Sequence, residues 1–184
     1  MRHVKGVLFL DYVRMIRAVK SYDWSKTLGP RELAFLKSPI LLDQWYPMDV
    51  FEQLGNAIFT VIAQGQMELV KMWGRTSVDQ LRSQQPMLIA TGDPVETLNR
   101  FRVLRSTYFD FDTLSVPLLH LDEAQVLIDY QMGMPAEEAA SWQTMGFFER
   151  LLELAGARDV TARFSSRSWA GEGRTLLSLH WNMP

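Results

Sequence analysis

Residues 114–131 read LSVPLLHLDEAQVLIDYQ, and residues 136–155 continue as AEEAASWQTMGFFERLLELA. The first stretch holds two short strand-forming runs, 114–121 and 124–131, separated by Asp122-Glu123, the pattern of a β-hairpin. Pro117 lacks an N–H, so its run suits an edge or bulged strand. The second stretch switches to helical spacing: Ser141, Met145, Phe148, Leu152 and Ala155 fall on one stripe, and Gly156 supplies the stop. Beyond it, Val160-Ala162-Phe164 and Leu177-Leu179-Trp181 alternate on either side of Gly171-Glu172-Gly173, a second hairpin. Hairpin, long helix, hairpin is the order of one antiparallel sheet of about four strands.

Upstream, the period is helical almost throughout. Val7, Leu8, Tyr12, Met15, Ile16 and Val19 predict a helix over roughly 8–20. Pro30 opens a short second helix that ends before Pro39. Val50, Phe51, Leu54, Ile58, Val61 and Ile62 form one stripe of a third, stopped at Gly65. Met67, Val70 and Trp73 begin a further helix, expected to break near Gly74. Asp93-Pro94 caps another, with Val95, Leu98, Phe101, Val103 and Leu104 as its apolar positions. The whole is predicted to be an α+β chain: a single domain over 1–184, with an N-terminal helical layer packed on the C-terminal sheet.

Composition narrows the function classes. At 184 residues, 47% hydrophobic and 22% charged, the chain is in the globular range. A formal net charge of −2 lacks the basic footprint of a nucleic-acid binder. There is no cysteine, which removes disulfides, thiolate metal sites and cysteine nucleophiles and fits a cytoplasmic protein. The apolar run Gly6–Leu10, cut by Asp11, is too short for a signal sequence or a membrane span.

Several motifs carry a resemblance. Val4-Lys5-Gly6-Val7-Leu8-Phe9 resembles the "KGxxF" start of the bacterial heme–nitric-oxide-binding domain. Residues 147–157 (FFERLLELAGA), Val160 and the closing Leu177-Ser178-Leu179-His180-Trp181 are similar to the end of that domain and of 4-vinyl reductase domains. Those families share their fold with tethering subunits of Golgi transport complexes. The Trp45-Tyr46-Pro47 element is similar to one in a myxobacterial family of the same superfamily. The resemblance implies a ligand-sensing or protein-interaction module, with a reductase-like enzyme on a planar apolar substrate and a ligand-free assembly protein as alternatives. It also implies where heme would bind: an axial histidine on the helix before the sheet, and a Tyr-x-Ser-x-Arg motif for the propionates. Here the helix reads Asn99-Arg100-Phe101-Arg102-Val103-Leu104-Arg105, and the motif reads Tyr130-Gln131-Met132-Gly133-Met134. Without the imidazole and the arginine, heme loses its iron ligand and its carboxylate anchor, so no cofactor is expected.

The residues left as candidates are few. With Tyr46 as N-cap and Pro47 as first helical residue, Trp45 and Val50 have the spacing of a hydrophobic staple, while both aromatics also suit a pocket for a small hydrophobic ligand. Arg102 and Arg105 share a helix face and suit either an anion clamp or a solvated surface, with Arg100 and Glu96 as a neighbouring pair. Phe101 and Tyr130 complete the expected ligand-binding set. His120 stands alone, with no partner at metal spacing, and no metal site is expected. Trp142, Met145 and Phe148 exceed what one buried stripe needs. A homodimer or another protein would cover that surplus, unless helices of the same chain do.

Overall fold

The computed structural model describes residues 2–183. The chain forms two compact units: one holds the chain through Gln66 together with Ser106–Phe111, the other holds Met67–Arg105 and the chain from Asp112 onward.

The first unit contains β1 (His3–Lys5), α1 (Gly6–Ala18), α2 (Pro30–Lys37), β2 (Trp45–Pro47) and α3 (Met48–Ala57), which runs into a π-helical turn at Ile58–Ile62. β1 and β2 pair antiparallel, with Val4 opposite Tyr46, and Lys5 N–H donates to Tyr108 O. The core is aromatic. Phe9, fully buried, stacks on Tyr46 at 4.6 Å and meets Phe35 edge-on at 5.3 Å, while Tyr12 stacks on Phe51 at 4.1 Å. Rings of this size each contribute about 2–3 kcal/mol on burial. Offset and edge-to-face geometries add to that.

The start of α3 differs from the staple expected. Tyr46 lies in β2, Pro47 is the N-cap, and the helix begins at Met48. Trp45 is 43% exposed, and its ring faces the Lys5 ammonium at 4.3 Å. Strand alternation explains the outcome: neighbouring side chains in β2 point to opposite faces, so burying Tyr46 turns Trp45 outward. Three-residue strands offer too little periodicity to be seen beforehand.

The second unit contains α4 (Met67–Gln84), α5 (Pro94–Leu104), β3 (Leu114–Leu119), β4 (Glu123–Ile128), α6 (Ala136–Leu154), β5 (Arg158–Ser166) and β6 (Thr175–Asn182). The four strands form one antiparallel sheet in the order β3-β4-β6-β5. The hairpin–helix–hairpin reading holds. β3 is an edge strand with a register shift between Ser115 and Leu118, around Pro117. Its turn centres on Leu121-Asp122, one residue before the expected pair, with His120 N–H donating to Glu123 O. Two rows of side chains run across the core face: Ala162 beside Leu179 beside Ala124, and Phe164 beside Leu177 beside Val126. The stripe of α6 is buried as read from Ser141 to Ala155.

Two expectations fail on α4 and α6. Gly74 does not break α4, which runs unbroken through it. A Cβ at Gly74 would come 1.8 Å from Gln143 O, and one at Gly146 would come 2.0 Å from Lys71 O. These glycines let the two helix backbones touch. Arg75 then reaches Glu149 (3.2 Å) and Glu153 (2.7 Å), and Lys71 reaches Glu149 (2.8 Å). α4 therefore covers the α6 surface that seemed to need a partner. Met145 and Phe148 are buried in the unit itself, at 4% and 0% exposure, and are not interface surface. Of the three candidates only Trp142 stays half-exposed. α4 and α5, counted by sequence with the N-terminal helices, belong to the sheet's unit.

Candidate functional site

In the second unit two of the expected site residues, Phe101 and Tyr130, lie against α6. α5 is capped as read: Asp93 Oδ1 accepts from Glu96 N–H at 2.8 Å, and Pro94 follows at N1. The cap orients the helix so that Pro94, Thr97, Leu98 and Phe101 face inward. Phe101 meets Phe148 edge-on at 4.9 Å and Phe147 at 5.5 Å. Val103, expected in the apolar stripe, is 78% exposed, because it falls on the opposite face from Phe101.

The arginines do not converge on one point. Arg100 pairs with Glu96 at 2.9 Å and donates to Met87 O, as a surface helix pair should. Arg102 is exposed and reaches Asn99 Oδ1 at 3.5 Å. Arg105 lies past the end of α5, where its guanidinium donates to Leu114 O and sits 3.7 Å from Asp112. It ties the entry of β3 to the helix end.

Tyr130 lies one turn of α6 away from Phe148, against Thr144. Its hydroxyl and Thr144 Oγ1 are 2.7 Å apart, and Thr144 Oγ1 donates to Ala140 O at 2.8 Å. Burial pushes the phenol well above its ordinary range; the nearby Glu137 charge adds to this and the Thr144 hydrogen bond opposes it. Glu137, in the first turn of α6, is the residue that sequence reasoning missed. It is buried, and its carboxylate accepts Tyr130 N–H at 3.3 Å and Met132 N–H at 2.9 Å. Gln131 between them has φ 55°, which aims the two amides at one acceptor. An acid in the first turn of a helix seven residues after Tyr130 was the available signal. Its inward rotation was not.

Tyr46 and Trp45, in the first unit, part company. Tyr46 is core, its hydroxyl accepting from Leu41 N–H at 2.9 Å; Trp45 is surface. The three histidines are equally dispersed. His3 pairs with Asp110 at 2.6 Å, His120 is exposed at the β3–β4 turn, and His180 is exposed on β6, 3.7 Å from Glu123. Among the described residues no cluster of three or more histidine, aspartate or glutamate side chains is placed to hold a metal.

Solved structures supply a fold for comparison. An H-NOX protein from S. oneidensis in the Fe(II)NO state superposes with a TM-score of 0.65 at 10% identity, covering 97% of this chain and 99% of that one. The Fe(II) unliganded H-NOX protein from K. algicida gives 0.64 at 13% identity, covering 98% and 97%. The fold is the H-NOX fold. The heme–nitric-oxide-binding resemblance read from the motifs thus holds at the level of architecture, over nearly the full length. No family model matches the sequence, and neither does any curated protein.

The resemblance implies an axial imidazole on the helix before the sheet and a propionate anchor after the first hairpin. The inward residues of α5 are Pro94, Thr97, Leu98 and Phe101, none of which ligates iron through an imidazole or thiolate. Where Tyr-x-Ser-x-Arg would anchor propionates, the main-chain donors of Tyr130 and Met132 are taken by the chain's own Glu137 carboxylate. Neither stretch offers the iron ligand or the propionate anchor that the resemblance implies.

Proposed function

We propose that this chain is a heme-free, non-enzymatic module of bacterial signalling on the H-NOX fold, cytoplasmic and homodimeric, that senses a small hydrophobic ligand or docks a protein. The observation that carries the reading is Glu137. A buried carboxylate of the protein itself sits on the amides of the stretch that, by resemblance, would hold a ligand's carboxylates. Such a group costs several kcal/mol to bury without partners and is held by two N–H donors. An anionic ligand group there would meet like charge, so the reading favours an uncharged, apolar ligand.

Two further features support it. The Trp181 Nε1 donor is buried with no hydrogen-bond partner, a group that a single ligand acceptor would satisfy. Tyr130 has its hydroxyl engaged by Thr144 and its acidity suppressed, which disfavours a role as a catalytic acid at neutral pH. No described helix is long and apolar enough to cross a membrane.

The test is mass spectrometry, native against denatured, on protein purified with heme available during expression and no cofactor added later. The expected result is no heme-sized adduct and no Soret band on hemin titration, with an apolar small molecule as the co-purified mass. Stoichiometric heme would overturn the heme-free reading. Absence of any adduct, with no apolar dye bound, would leave protein docking as its function.

A further inference from the structure

The four-stranded sheet ends on two unlike edges. β3 is short, carries Pro117 and a register shift, and is tied at its start by Arg105. Those are devices that keep an edge from pairing with another chain. β5 is nine residues long, contains no proline, and pairs only with β6; its own register shifts, between Arg158 and Thr161 and between Phe164 and Ser166, leave Thr161–Phe164 in regular pairing. Among the described residues no main-chain hydrogen bond from another element reaches its outer side.

The side chains of β5 also look unfinished on the core face. Val160, Ala162 and Phe164 are only half-buried, whereas their row neighbours on β6, Leu177, Leu179 and Trp181, are at most 4% exposed. Phe164 meets Trp142 edge-on at 5.8 Å and Trp169 at 5.0 Å, and both tryptophans are half-buried as well. This is the surplus aromatic surface of α6 after α4 has covered the rest.

We infer that β5 pairs antiparallel with β5 of a second copy of this chain, making one continuous eight-stranded sheet. This rests on the homodimer reading above and gives it a surface. A two-fold axis perpendicular to the sheet keeps both α6 helices on one face, so directly opposed residues must share a face and the register must centre on a residue. Centring on Arg163 sets two guanidinium groups opposite each other. Centring on Thr161 sets Arg158 opposite Phe164 and draws Asp159 into the ladder, although Asp159 has φ 50° and its carboxylate already accepts from Asn182. Centring on Ala162 avoids both. It places Val160 against Phe164 on the core face, Ala162 against itself, and Thr161 against Arg163 on the outer face, with no like charges opposed. The register shifts of β5, between Arg158 and Thr161 and between Phe164 and Ser166, flank the regular residues Thr161–Phe164, and Val160 falls within the first of them.

The chain has no cysteine, which makes thiol cross-linking a clean test. In this register the two copies of position 162 have Cα atoms about 4.5–5.5 Å apart, within disulfide range. The two copies of position 158 lie on the order of 27 Å apart at about 3.4 Å per residue. Ala162→Cys is therefore expected to form a covalent dimer under mild oxidation, and Arg158→Cys to form essentially none. Separately, sedimentation should report a dimer. Thr161→Arg, which opposes two arginines twice, should weaken it about tenfold or more. The double change Thr161→Arg with Arg163→Glu should restore it, with circular dichroism confirming that each variant is folded. A dimer in which Ala162→Cys cross-links no faster than Arg158→Cys overturns the β5 edge alone. A monomer at every concentration overturns the edge and the homodimer together, while the ligand reading stands or falls on the mass measurement.

Discussion

The two flanks of α6 are built on opposite plans. Toward α4 the helix is sealed: glycines bring the backbones into contact, and Lys71 and Arg75 lock onto Glu149 and Glu153. Toward the β5 edge it is half-open, with Trp142, Phe164 and Trp169 touching edge-on and none fully covered. The difference teaches where aromatic content has structural meaning and where it points outward. Phe148, between the two flanks, has everything it needs from its own unit; Phe164 does not.

The sharpest way to break that contrast is a pair of truncations. Phe148→Ala empties a fully buried position and should cost about 4 kcal/mol of stability. Phe164→Ala, at the half-open edge, should cost less than half as much when measured on the dilute monomer, because within one chain part of its surface is in water. Chemical denaturation of the two variants measures the difference, and equal losses would mean that the edge is as well packed as the centre.

Next in size is the sealed flank itself. Gly74→Ala puts a methyl against the Gln143 carbonyl, a backbone atom that cannot rotate away, and should destabilise by about 3 kcal/mol, at the upper end of overpacking. Glu149→Gln keeps the shape but removes the charge shared by Lys71 and Arg75. Both cations keep partial access to water, so the expected loss is about 2 kcal/mol rather than the larger figure for a sealed pair. The loss should shrink in high salt, since the pairs are only partly shielded from it. Thermal melts at two salt concentrations read both.

How much of this was visible in the sequence follows the same division. The α6 stripe, both hairpins and the Asp93 cap were legible, because each is written in a local period or a local hydrogen bond. Gly74 was misread as a break, since a glycine that ends a helix and one that admits a neighbouring helix look alike until the neighbour is known. The β1–β2 pair escaped because three-residue strands have no period. For the site, Phe101 and Tyr130 do converge on α6. Arg102 and Arg105 do not converge with them, because α5 ends between the two arginines and their shared face ends with it. Glu137 was missed because a first-turn acid is ordinarily exposed, and its inward turn depends on the φ of Gln131, which glutamine rarely adopts.

The smallest effect tests the N-terminal end of α6, where a polar knot replaces packing. Tyr130→Phe removes one buried hydrogen bond to Thr144 and should cost about 1 kcal/mol at neutral pH, with the ring's packing intact. The pH dependence carries more information than that number. Desolvation holds the folded-state phenol above its ordinary value near 10, so above that pH the unfolded chain releases a proton that the folded chain keeps. Fewer protons bound in the unfolded state means that stability falls as pH rises through and beyond about 10. Tyr130→Phe removes that term, so its stability should decline less steeply than the parent's on the alkaline side. Some decline should persist, because burial raises Tyr108 in the same direction. Parallel alkaline limbs for the two proteins would mean that the phenol is reachable by water, and that the knot at the start of α6 is open like the β5 edge rather than sealed like the α4 flank.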